Sequence, residues 1–470
     1  FLLKEKGKLA ILKEKIGDFN IDSHIGIGHT RWATHGEPSR ANAHPHTDAS
    51  GKIALVHNGI IENYASLKAE LIQKRVRFVS QTDTEVAAQL IGLNYKKTKK
   101  LSDAVTQAVL RLKGFFAFVT FAKDDPDTLV AFKRSNPLVV GLGQGENFVA
   151  SDVTALLPYT RQVIYLEDDD LAVITSKEVS IYSLKTKSWV KRNPVTIHWN
   201  ISQAQKQGFP HFMLKEMHEQ PEVLKSILTK RLDKAGEIYF DTVPKRFGWK
   251  LKKARQVFMV SCGTAYHAGL VGSSILEHVA RIPCRVRVSS EFRYSDPIVG
   301  KKDLVVLITQ SGETADTLAA LREAKAKGAM TLAIVNVVGS TIAREADAVI
   351  YTHAGPEIGV ASTKAYIAQL ATLTLLGLFM GRLRRKISTK MFKSLIREFK
   401  KMPDHCAKIL KQSKKYESCA QKHYTRRNFL YLGRGCNFPT ALEGALKLKE
   451  ISYAHAHGYA AGEMKHGPIR

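Results

Sequence analysis

Cysteine is scarce in this sequence, and its five occurrences are widely spaced. Cys262, Cys284, Cys406, Cys419 and Cys436 form no pair with metal-ligand spacing and no framework typical of a secreted disulfide protein. We therefore expect a reducing compartment and predict a cytoplasmic protein. No charged segment followed by an apolar stretch opens the chain, so no signal peptide is expected.

Long hydrophobic runs are also absent. The most apolar stretch, residues 366–381, is 16 residues long and includes Gln369 and two threonines. A membrane span needs about 20 predominantly apolar residues. This stretch is therefore predicted to be a buried helix, and no membrane partner is expected.

Acidic residues are few relative to basic ones: 43 Asp and Glu stand against 71 Lys and Arg, a net charge of +28. The basic residues are scattered in short groups and accompany no recognisable nucleic-acid module, so nucleic acid is not expected as a partner. A basic surface also suits anionic substrates. The sequence contains no GxxxxGK[ST] loop, and a P-loop nucleotide site is therefore not implied.

The first 200 of the 470 residues are rich in short β-type segments. Alternating patterns with turns at Asn58-Gly59 and Asp124-Asp125-Pro126 indicate strands. Helices are predicted over residues 61–75 and 84–93, the second capped by Asp83 or Thr84. This part is predicted to be an α+β domain with antiparallel sheets.

From Gln256 onward, apolar runs alternate with helical segments, which predicts α/β domains with doubly wound parallel sheets. The pattern FMVSCG at 258–263 recurs as LYLGRG at 430–435, 172 residues later. Internal repeats of this kind indicate repeated structural units. The chain ends soon after the second copy starts, so the second copy is expected to be incomplete.

One apolar run is followed by the polar loop TQSGET at residues 309–314. Hydroxyl and amide donors, a glycine and a helix expected to begin near Glu313 together favour phosphate binding at the carboxyl end of a strand. An ordinary helix cap would explain Ser311 or Thr314 alone, but it explains the whole cluster less well.

A second polar segment, HTRWATHGEPSRANAHPH at residues 29–46, contains four histidines and no helix or strand periodicity. Long polar loops often carry function. Each histidine taken alone is also consistent with an ordinary exposed loop residue. His44 and His46 lack a convincing third ligand, so no metal site is predicted.

This segment, with VHNGIIENY and SQTDTE, resembles the Ntn-hydrolase-like glutaminase domain of class II glutamine amidotransferases. The resemblance implies that Asn58 and the Gly59 N–H form the oxyanion hole. It implies that Trp32 gates the passage of ammonia. It also implies four glutamine-binding residues: Arg31, Thr34 and His35 at the α-carboxylate, and Asp83 at the α-ammonium.

The second half resembles sugar isomerase (SIS) domains, through SCGTAYHAG, SSEFRY, TQSGETADT, EIGVASTKA and LEGALKLKEISY. By the resemblance, the residues lining the sugar-phosphate site are Thr264, Thr309, Gln310, Ser311, Thr314, Val360 and Ser362. Ala265 replaces a serine common in the family and is left out. Glu450 would move a proton between carbons, Lys447 would assist it, and His466 would open the sugar ring. Their spacing alone also fits a surface salt bridge.

The two resemblances together imply a fructose 6-phosphate amidotransferase. The expected reaction is glutamine-dependent amination and isomerisation of fructose 6-phosphate to glucosamine 6-phosphate, the first step of the hexosamine pathway, in a homodimer without cofactor. The cysteine nucleophile and a Schiff-base lysine are expected outside residues 1–470, so this chain alone is expected to be inactive. A phosphosugar-binding regulatory module is the alternative, and the glutamine motifs argue against it.

The same resemblance sets the expected domain limits. The glutaminase domain is expected over residues 1–198 and a linker over 199–224. The first sugar isomerase domain is expected over 225–395, and a truncated second one over 396–470.

Overall fold

The computed structural model describes residues 1–17, 19, 21–31, 35–199 and 205–467. The chain divides into two compact units, Phe1–His198 and Trp199–Arg470, here called unit 1 and unit 2. The domain limits expected at residues 224 and 395 stay predictions.

Unit 1 contains two antiparallel sheets and four α-helices within its described residues. Its strands are β1 (His46–Thr47), β2 (Ile53–Ile61), β3 (Gly114–Ala122), β4 (Asp125–Arg134), β5 (Val139–Leu142), β6 (Asn147–Ala150), β7 (Gln162–Tyr165), β8 (Asp170–Ile174), β9 (Val179–Ser183), β10 (Ser188–Val190) and β11 (Val195–Thr196). Its helices are α1 (Leu9–Ile16), α2 (Tyr64–Gln73), α3 (Asp83–Thr98) and α4 (Leu101–Val109). One sheet has the order β1-β2-β3-β4-β8-β9-β10 and the other the order β11-β7-β5-β6.

The larger sheet is covered on both faces because successive residues of its central strands point to opposite faces and nearly all of them are apolar. Phe116 and Phe118 of β3 pack with α3 and α4 on one face. Ala117 and Val119 of the same strand face the smaller sheet through residues such as Val140. The result is a helix, sheet, sheet arrangement, and the predicted antiparallel α+β fold is confirmed.

Two local predictions in this unit were wrong. Asn58-Gly59 is not a turn, because β2 continues through it and pairs Asn58 with Ala117 of β3. The residue that caps α3 is Thr82, whose Oγ1 accepts a hydrogen bond from Glu85 N at 3.3 Å. Asp83 does not serve as the cap, because its carboxylate is turned back toward β2 and accepts from Ile61 N.

Unit 2 is built on five parallel strands in the order β13-β12-β14-β15-β16. These strands are β12 (Gln256–Ser261), β13 (Cys284–Val288), β14 (Asp303–Ile308), β15 (Met330–Val335) and β16 (Ala348–Tyr351). The surrounding helices are α5 (Phe212–Arg231), α6 (Lys245–Lys253), α7 (Gly263–Ile275), α8 (Ser289–Tyr294), α9 (Ala315–Ala326), α10 (Thr341–Glu345) and α11 (Lys364–Leu383).

Successive strand residues of this sheet face opposite layers. Val257 and Met259 pack toward α6, α7 and α11. Phe258 and Val260 pack toward α8, α9 and α10. Helices therefore cover both faces of a parallel sheet, which confirms the predicted doubly wound fold.

The rest of unit 2 begins a second copy of this pattern. Its elements are α12 (Thr389–Phe399), α13 (Met402–Leu410), α14 (Ser413–His423), β17 (Asn428–Gly433), α15 (Asn437–Ser452) and β18 (His455–Ala460). Strand β17 leads into α15 as β12 leads into α7, and β17 pairs in parallel with β18. The repeat read from the sequence therefore corresponds to a repeated strand and helix.

Helix α11 contains the most apolar stretch of the chain. By length and composition it could cross a membrane, but 61% of its most apolar window is buried inside the fold. Leu373, Leu375 and Leu376 belong to the core beneath the parallel sheet. The prediction of a buried helix is confirmed.

Candidate functional site

The first group of candidate residues lies on β2 in unit 1. Gly59 has φ +109°, and a Cβ at this position would overlap Phe115 O and the Asn136 amide nitrogen. Asn136 Nδ2 donates to Asn58 O at 2.9 Å and to Phe115 O at 3.1 Å. Only glycine fits here, and Asn136 links the carbonyl of the Asn58-Gly59 peptide to that of Phe115 in β3.

The side-chain amide of Asn58 is also fixed. His29 Nε2 lies 2.8 Å from Asn58 Oδ1. Burial lowers the pKa of His29, so the ring is neutral near pH 7 and donates through Nε2. With its oxygen engaged in this way, Asn58 keeps its NH₂ group for another acceptor.

Asp83 stands at the first position of α3 and is buried. Its Oδ2 accepts from Ile61 N at 2.9 Å, and its Oδ1 lies 4.0 Å from His35 Nδ1. The carboxylate thus connects the end of β2 to the start of α3. His35 packs edge-on against the ring of Tyr64, 4.8 Å between centroids.

The Arg31 guanidinium is held by main-chain carbonyls of its own loop. It donates to His35 O, to Gly36 O at 2.9 Å and to Glu37 O at 3.2 Å. Asn42 extends the same network, since its Nδ2 donates to Glu37 O at 3.0 Å. Trp32 and Thr34, the expected ammonia gate and a glutamine-binding residue, lie outside the described residues.

A cluster of buried histidines supports this loop. Burial lowers the pKa of His46 to about 3 and of His57 to about 4, and it lowers the pKa of His44 further still. His57 Nδ1 bonds Thr84 Oγ1 at 2.9 Å, and His46 Nε2 bonds Thr82 Oγ1 at 3.2 Å. These rings are neutral structural groups: His46 joins the polar loop to the start of α3, and His57 joins β2 to the same helix.

Asn58, Gly59, Asp83 and His35 are thus brought together by the end of β2 and the start of α3. The group combines an amide donor, a shaped main-chain segment and a buried carboxylate. Such a set can receive a zwitterionic ligand and stabilise an oxyanion. Asn136 was missed by sequence reasoning, because nothing in its motif links it to a partner 78 residues away.

The second group surrounds a cavity of about 270 Å³ in unit 2, at the carboxyl ends of β12 and β14. We call it the sugar cavity. Of the predicted sugar-phosphate residues, the structure places all seven around it: Thr264, Thr309, Gln310, Ser311, Thr314, Val360 and Ser362. Hydroxyl groups dominate the wall, and they can donate to the oxygens of a phosphate group.

The loop after β14 is held in a tight curve. Thr309 Oγ1 lies 3.1 Å from Thr314 Oγ1, and Gly312 N donates to Thr309 Oγ1 at 3.3 Å. Gly312 has φ +68°, and a side chain here would collide with Ser340. Helix α9 begins at Ala315 rather than near Glu313, because Thr314 is still extended and acts as the N-cap.

The opposite wall of the sugar cavity is organised by two glutamates. Glu357 accepts from Ser362 Oγ and from Thr363 N, both at 2.8 Å. Buried Glu216 of α5 accepts from Ile358 N at 2.6 Å and from Gly359 N at 3.1 Å. Burial is the main reason that the pKa of Glu216 is raised. Helix α5 therefore fixes the main chain of this wall, and Val360 at its rim is 89% exposed.

Gln369 also lines the cavity, and sequence reasoning missed its role. Its side chain is 2% exposed, and its Oε1 has no hydrogen-bond partner among the described residues. A buried amide oxygen without a partner is costly. Its place as a polar residue in an apolar helix, one turn beyond the EIGVASTKA motif, is the only sequence signal.

Lys447 and Glu450 of α15 do not form an isolated surface pair. Lys447 Nζ bonds Glu450 Oε2 at 2.8 Å and Thr264 Oγ1 at 2.9 Å, and it lies 3.4 Å from Glu443 Oε1. Glu443 is buried and also bonds His267 Nδ1 at 2.7 Å. The chain of contacts connects α15 to the wall of the sugar cavity.

His466 is not brought into this group. It is exposed and follows the 3-10 turn Ala461–Lys465, where its N–H donates to Glu463 O at 2.9 Å. The structure therefore gathers the seven predicted sugar-phosphate residues around one cavity, whereas the expected ring-opening residue lies elsewhere in unit 2.

Comparisons with known proteins agree with this division of the chain. The sequence profile of the glutamine amidotransferase domain matches residues 15–207. The profile of the SIS domain matches residues 250–378 and 424–470.

Two similar curated proteins are both named glutamine–fructose-6-phosphate aminotransferase (isomerizing). The protein from Clostridium tetani is 46% identical over 466 residues, 99% of this chain and 76% of the relative. That from Aquifex aeolicus is 49% identical over 466 residues, 99% of this chain and 75% of the relative. A solved structure, the C-terminal domain of glucosamine-fructose-6-phosphate aminotransferase from Francisella tularensis, is 40% identical with a TM-score of 0.54, covering 56% of this chain and 73% of that one.

Proposed function

The chain belongs to the family of isomerizing glutamine–fructose-6-phosphate aminotransferases, and on that premise we propose how its two units divide the reaction. Unit 1 binds glutamine and contributes to release of ammonia from the side-chain amide. Unit 2 binds fructose 6-phosphate, which reacts with that ammonia to give glucosamine 6-phosphate. The observation that carries the proposal is that one chain contains both an amide-bearing strand in unit 1 and a hydroxyl-lined cavity in unit 2.

In unit 1, Asn58 Nδ2 and Gly59 N–H stabilise the oxyanion that forms when the glutamine amide is attacked. Two observations support this role: the amide oxygen of Asn58 is occupied by His29, and Asn136 holds the Asn58 carbonyl. Donors fixed before the reaction need no reorganisation when charge develops.

The charged ends of glutamine are recognised by opposite charges in the same unit. Asp83 binds the α-ammonium, and Arg31 binds the α-carboxylate with support from His35. Asp83 is buried and held by Ile61 N, which fixes the direction of its free oxygen. Thr34 and Trp32 keep the roles that the resemblance implies, binding glutamine and gating ammonia.

In unit 2, the loop that contains Thr309, Gln310, Ser311 and Thr314 binds the phosphate group, and Thr264, Ser362 and Val360 line the sugar. Hydroxyls and main-chain N–H groups at the start of a helix suit a phosphate without a metal ion. Gln369 Oε1 accepts a hydrogen bond from a sugar hydroxyl, which satisfies the buried oxygen.

Glu450 transfers the proton between C1 and C2, as the resemblance implies, and Lys447 stabilises negative charge on the neighbouring oxygen. The contacts of Lys447 with Glu443, Glu450 and Thr264 support this role, since they hold its ammonium between the carboxylates and the sugar cavity. His466 keeps the ring-opening role that the resemblance implies, although it lies outside the group around Lys447. We further propose a cytoplasmic homodimer, on family membership alone.

Separate binding and turnover measurements test the proposal. Isothermal titration of residues 1–470 should show binding of fructose 6-phosphate, which Ser311→Ala weakens. Protein expressed from the whole gene should form glucosamine 6-phosphate only when glutamine is supplied. A whole-gene product that binds fructose 6-phosphate but never consumes glutamine would contradict the proposal and favour a regulatory sugar-binding module.

A further inference from the structure

A second and larger cavity in unit 2 lies at the opposite end of the parallel sheet from the sugar cavity. It has a volume of about 770 Å³ and is lined by Lys250, Lys253, Lys301, Lys302 and Lys325. We call it the lysine cavity. None of the roles assigned above uses it.

The positive charge at this cavity is not balanced by neighbouring carboxylates. Within the described part of the chain, Lys250, Lys253, Lys301 and Lys302 form no ion pair, and Lys325 donates to the main-chain oxygen of Glu345. The one carboxylate of the wall, Asp347, already accepts from Thr331 N and Thr331 Oγ1, both at 2.9 Å. Five lysines and one carboxylate thus line the cavity, which leaves an excess of four positive charges.

The ordinary explanation for basic residues at helix ends accounts for only part of this set. Lys250 and Lys253 end α6, and Lys325 is in the last turn of α9, where cations complement the helix dipole. Lys301 and Lys302 belong to no helix and immediately precede β14. Like charges repel when several ammonium groups share one cavity, which favours binding of an anion there.

The lysine cavity is separate from the sugar cavity. Lys302 precedes the first residue of β14, and the loop that lines the sugar cavity follows its last residue, Ile308. A six-residue strand spans roughly 20 Å, so one compact ligand cannot reach both ends. The linings of the two cavities also differ chemically: lysine ammonium groups line the lysine cavity, whereas hydroxyl groups line the sugar cavity.

We propose that the lysine cavity binds a compact anion that carries two or more phosphate groups. A single phosphate group carries about two negative charges at neutral pH and would leave about half of this positive charge unmatched. Pyrophosphate and related compounds match four ammonium groups better. The cavity has nearly three times the volume of the sugar cavity and accommodates more than one phosphate group.

Isothermal titration with inorganic pyrophosphate tests the proposal. Residues 1–470 are saturated with fructose 6-phosphate so that the sugar cavity is blocked, and pyrophosphate is titrated at low and then at physiological ionic strength. We expect saturable binding that weakens as salt rises, because the contacts are between exposed charges. Both Lys250→Glu/Lys253→Glu and Lys301→Glu/Lys302→Glu should weaken binding at least tenfold.

The matched control is Lys390→Glu/Lys393→Glu, which reverses two exposed lysines of α12 away from the cavity. It should leave pyrophosphate affinity within a factor of two. Thermal melting shows whether each variant is folded. The two pairs of cavity lysines lie on different elements, so if one double variant does not fold, the other still tests the proposal. Equal losses in cavity and control variants, no binding by the unaltered protein, or binding of an RNA oligonucleotide in preference to pyrophosphate would each overturn the proposal.

Discussion

In the candidate site of unit 1, side chains are hydrogen-bonded to main-chain groups and to one another. In the candidate site of unit 2, hydroxyl groups line a cavity. In unit 1, Asn58, Asp83 and Arg31 each have a fixed partner. In unit 2, Ser311 and Gln369 face about 270 Å³ of space, and Gln369 keeps an oxygen without a partner among the described residues. Fixed contacts therefore dominate the first site, whereas the second combines fixed hydroxyls such as that of Ser362 with groups that face open space.

The strongest test of this contrast is Gly59→Ala. The new Cβ would overlap Phe115 O and Asn136 Nδ2, so β2 has to move and the unit loses roughly 3 kcal/mol of unfolding free energy. Glutamine binding, measured by isothermal titration, should be lost. Fructose 6-phosphate binding should be retained, since it depends on unit 2.

Gly145→Ala is the matched control for this change. Gly145 has φ +73° but no atom within 4 Å of an added Cβ, so only the backbone cost of about 1 kcal/mol applies. If the two variants melt at the same temperature and bind glutamine equally, close packing around Gly59 is not what fixes the site.

We expect acid to destabilise unit 1 at a higher pH than unit 2. His57 has its pKa lowered to about 4 by burial, below the ordinary value of 6.5, so the unfolded chain takes up the proton first as pH falls. The stabilisation from this group is complete above about pH 6.5 and is lost between there and pH 4, on the order of 3 kcal/mol. The lowered pKa of His46 also makes unit 1 less stable in acid. In unit 2, His353 is the one histidine among the described residues whose pKa is lowered, to about 4.

Hydrogen exchange read by mass spectrometry checks this difference. Peptides from β2 and α3 should lose protection between pH 7 and pH 5 before peptides from β12 and β14. His57→Gln should reduce the pH dependence in unit 1. Loss of protection in unit 2 first would show that the histidine cluster does not govern acid stability.

Gln369→Leu should have a moderate effect and act on binding alone. Removing the unpartnered oxygen costs the fold little, while the sugar loses an acceptor and its affinity falls about tenfold. Isothermal titration with fructose 6-phosphate measures the loss, and glutamine affinity in the same variant serves as the internal control. Unchanged sugar affinity would mean that Gln369 does not face the ligand.

Val360→Ala should have the smallest effect. Its side chain is 89% exposed, so truncation removes little buried area, and sugar affinity should change by less than about twofold. Ser362→Ala is the comparison, because Ser362 bonds Glu357 at 2.8 Å and its loss frees a carboxylate in the wall. A larger loss of sugar affinity in Val360→Ala than in Ser362→Ala would contradict this prediction.

Sequence patterns were sufficient for the fold class, and the family resemblance named seven residues of the sugar cavity but missed Gln369. Periodicity of 2 in β3 and alternation of strands with helices after Gln256 reflect local rules of burial. The Asn58-Gly59 pair was misread as a turn because its dipeptide signal is the same in a hairpin and in a distorted strand. Only contact with Phe115 and Asn136 distinguishes the two.

Contacts between distant residues were beyond sequence patterns. Thr264 meets Glu443 and Lys447 across 179 and 183 residues. Spacing within α15 shows that Glu443, Lys447 and Glu450 share a face, but not what that face contacts. For the same reason, the histidines of the polar loop looked exposed in sequence although three of the four bury ring atoms without a hydrogen-bond partner among the described residues.

The wall of the sugar cavity depends on the rotational phase of one helix. Glu216 is the fifth residue of α5, and it holds Ile358 N and Gly359 N from there. One residue inserted between Phe212 and Glu216 would turn one side of the insertion by about 100° relative to the other. The same insertion before Phe212 leaves the helix phase intact, so tolerance of insertions should change abruptly at the first residue of α5.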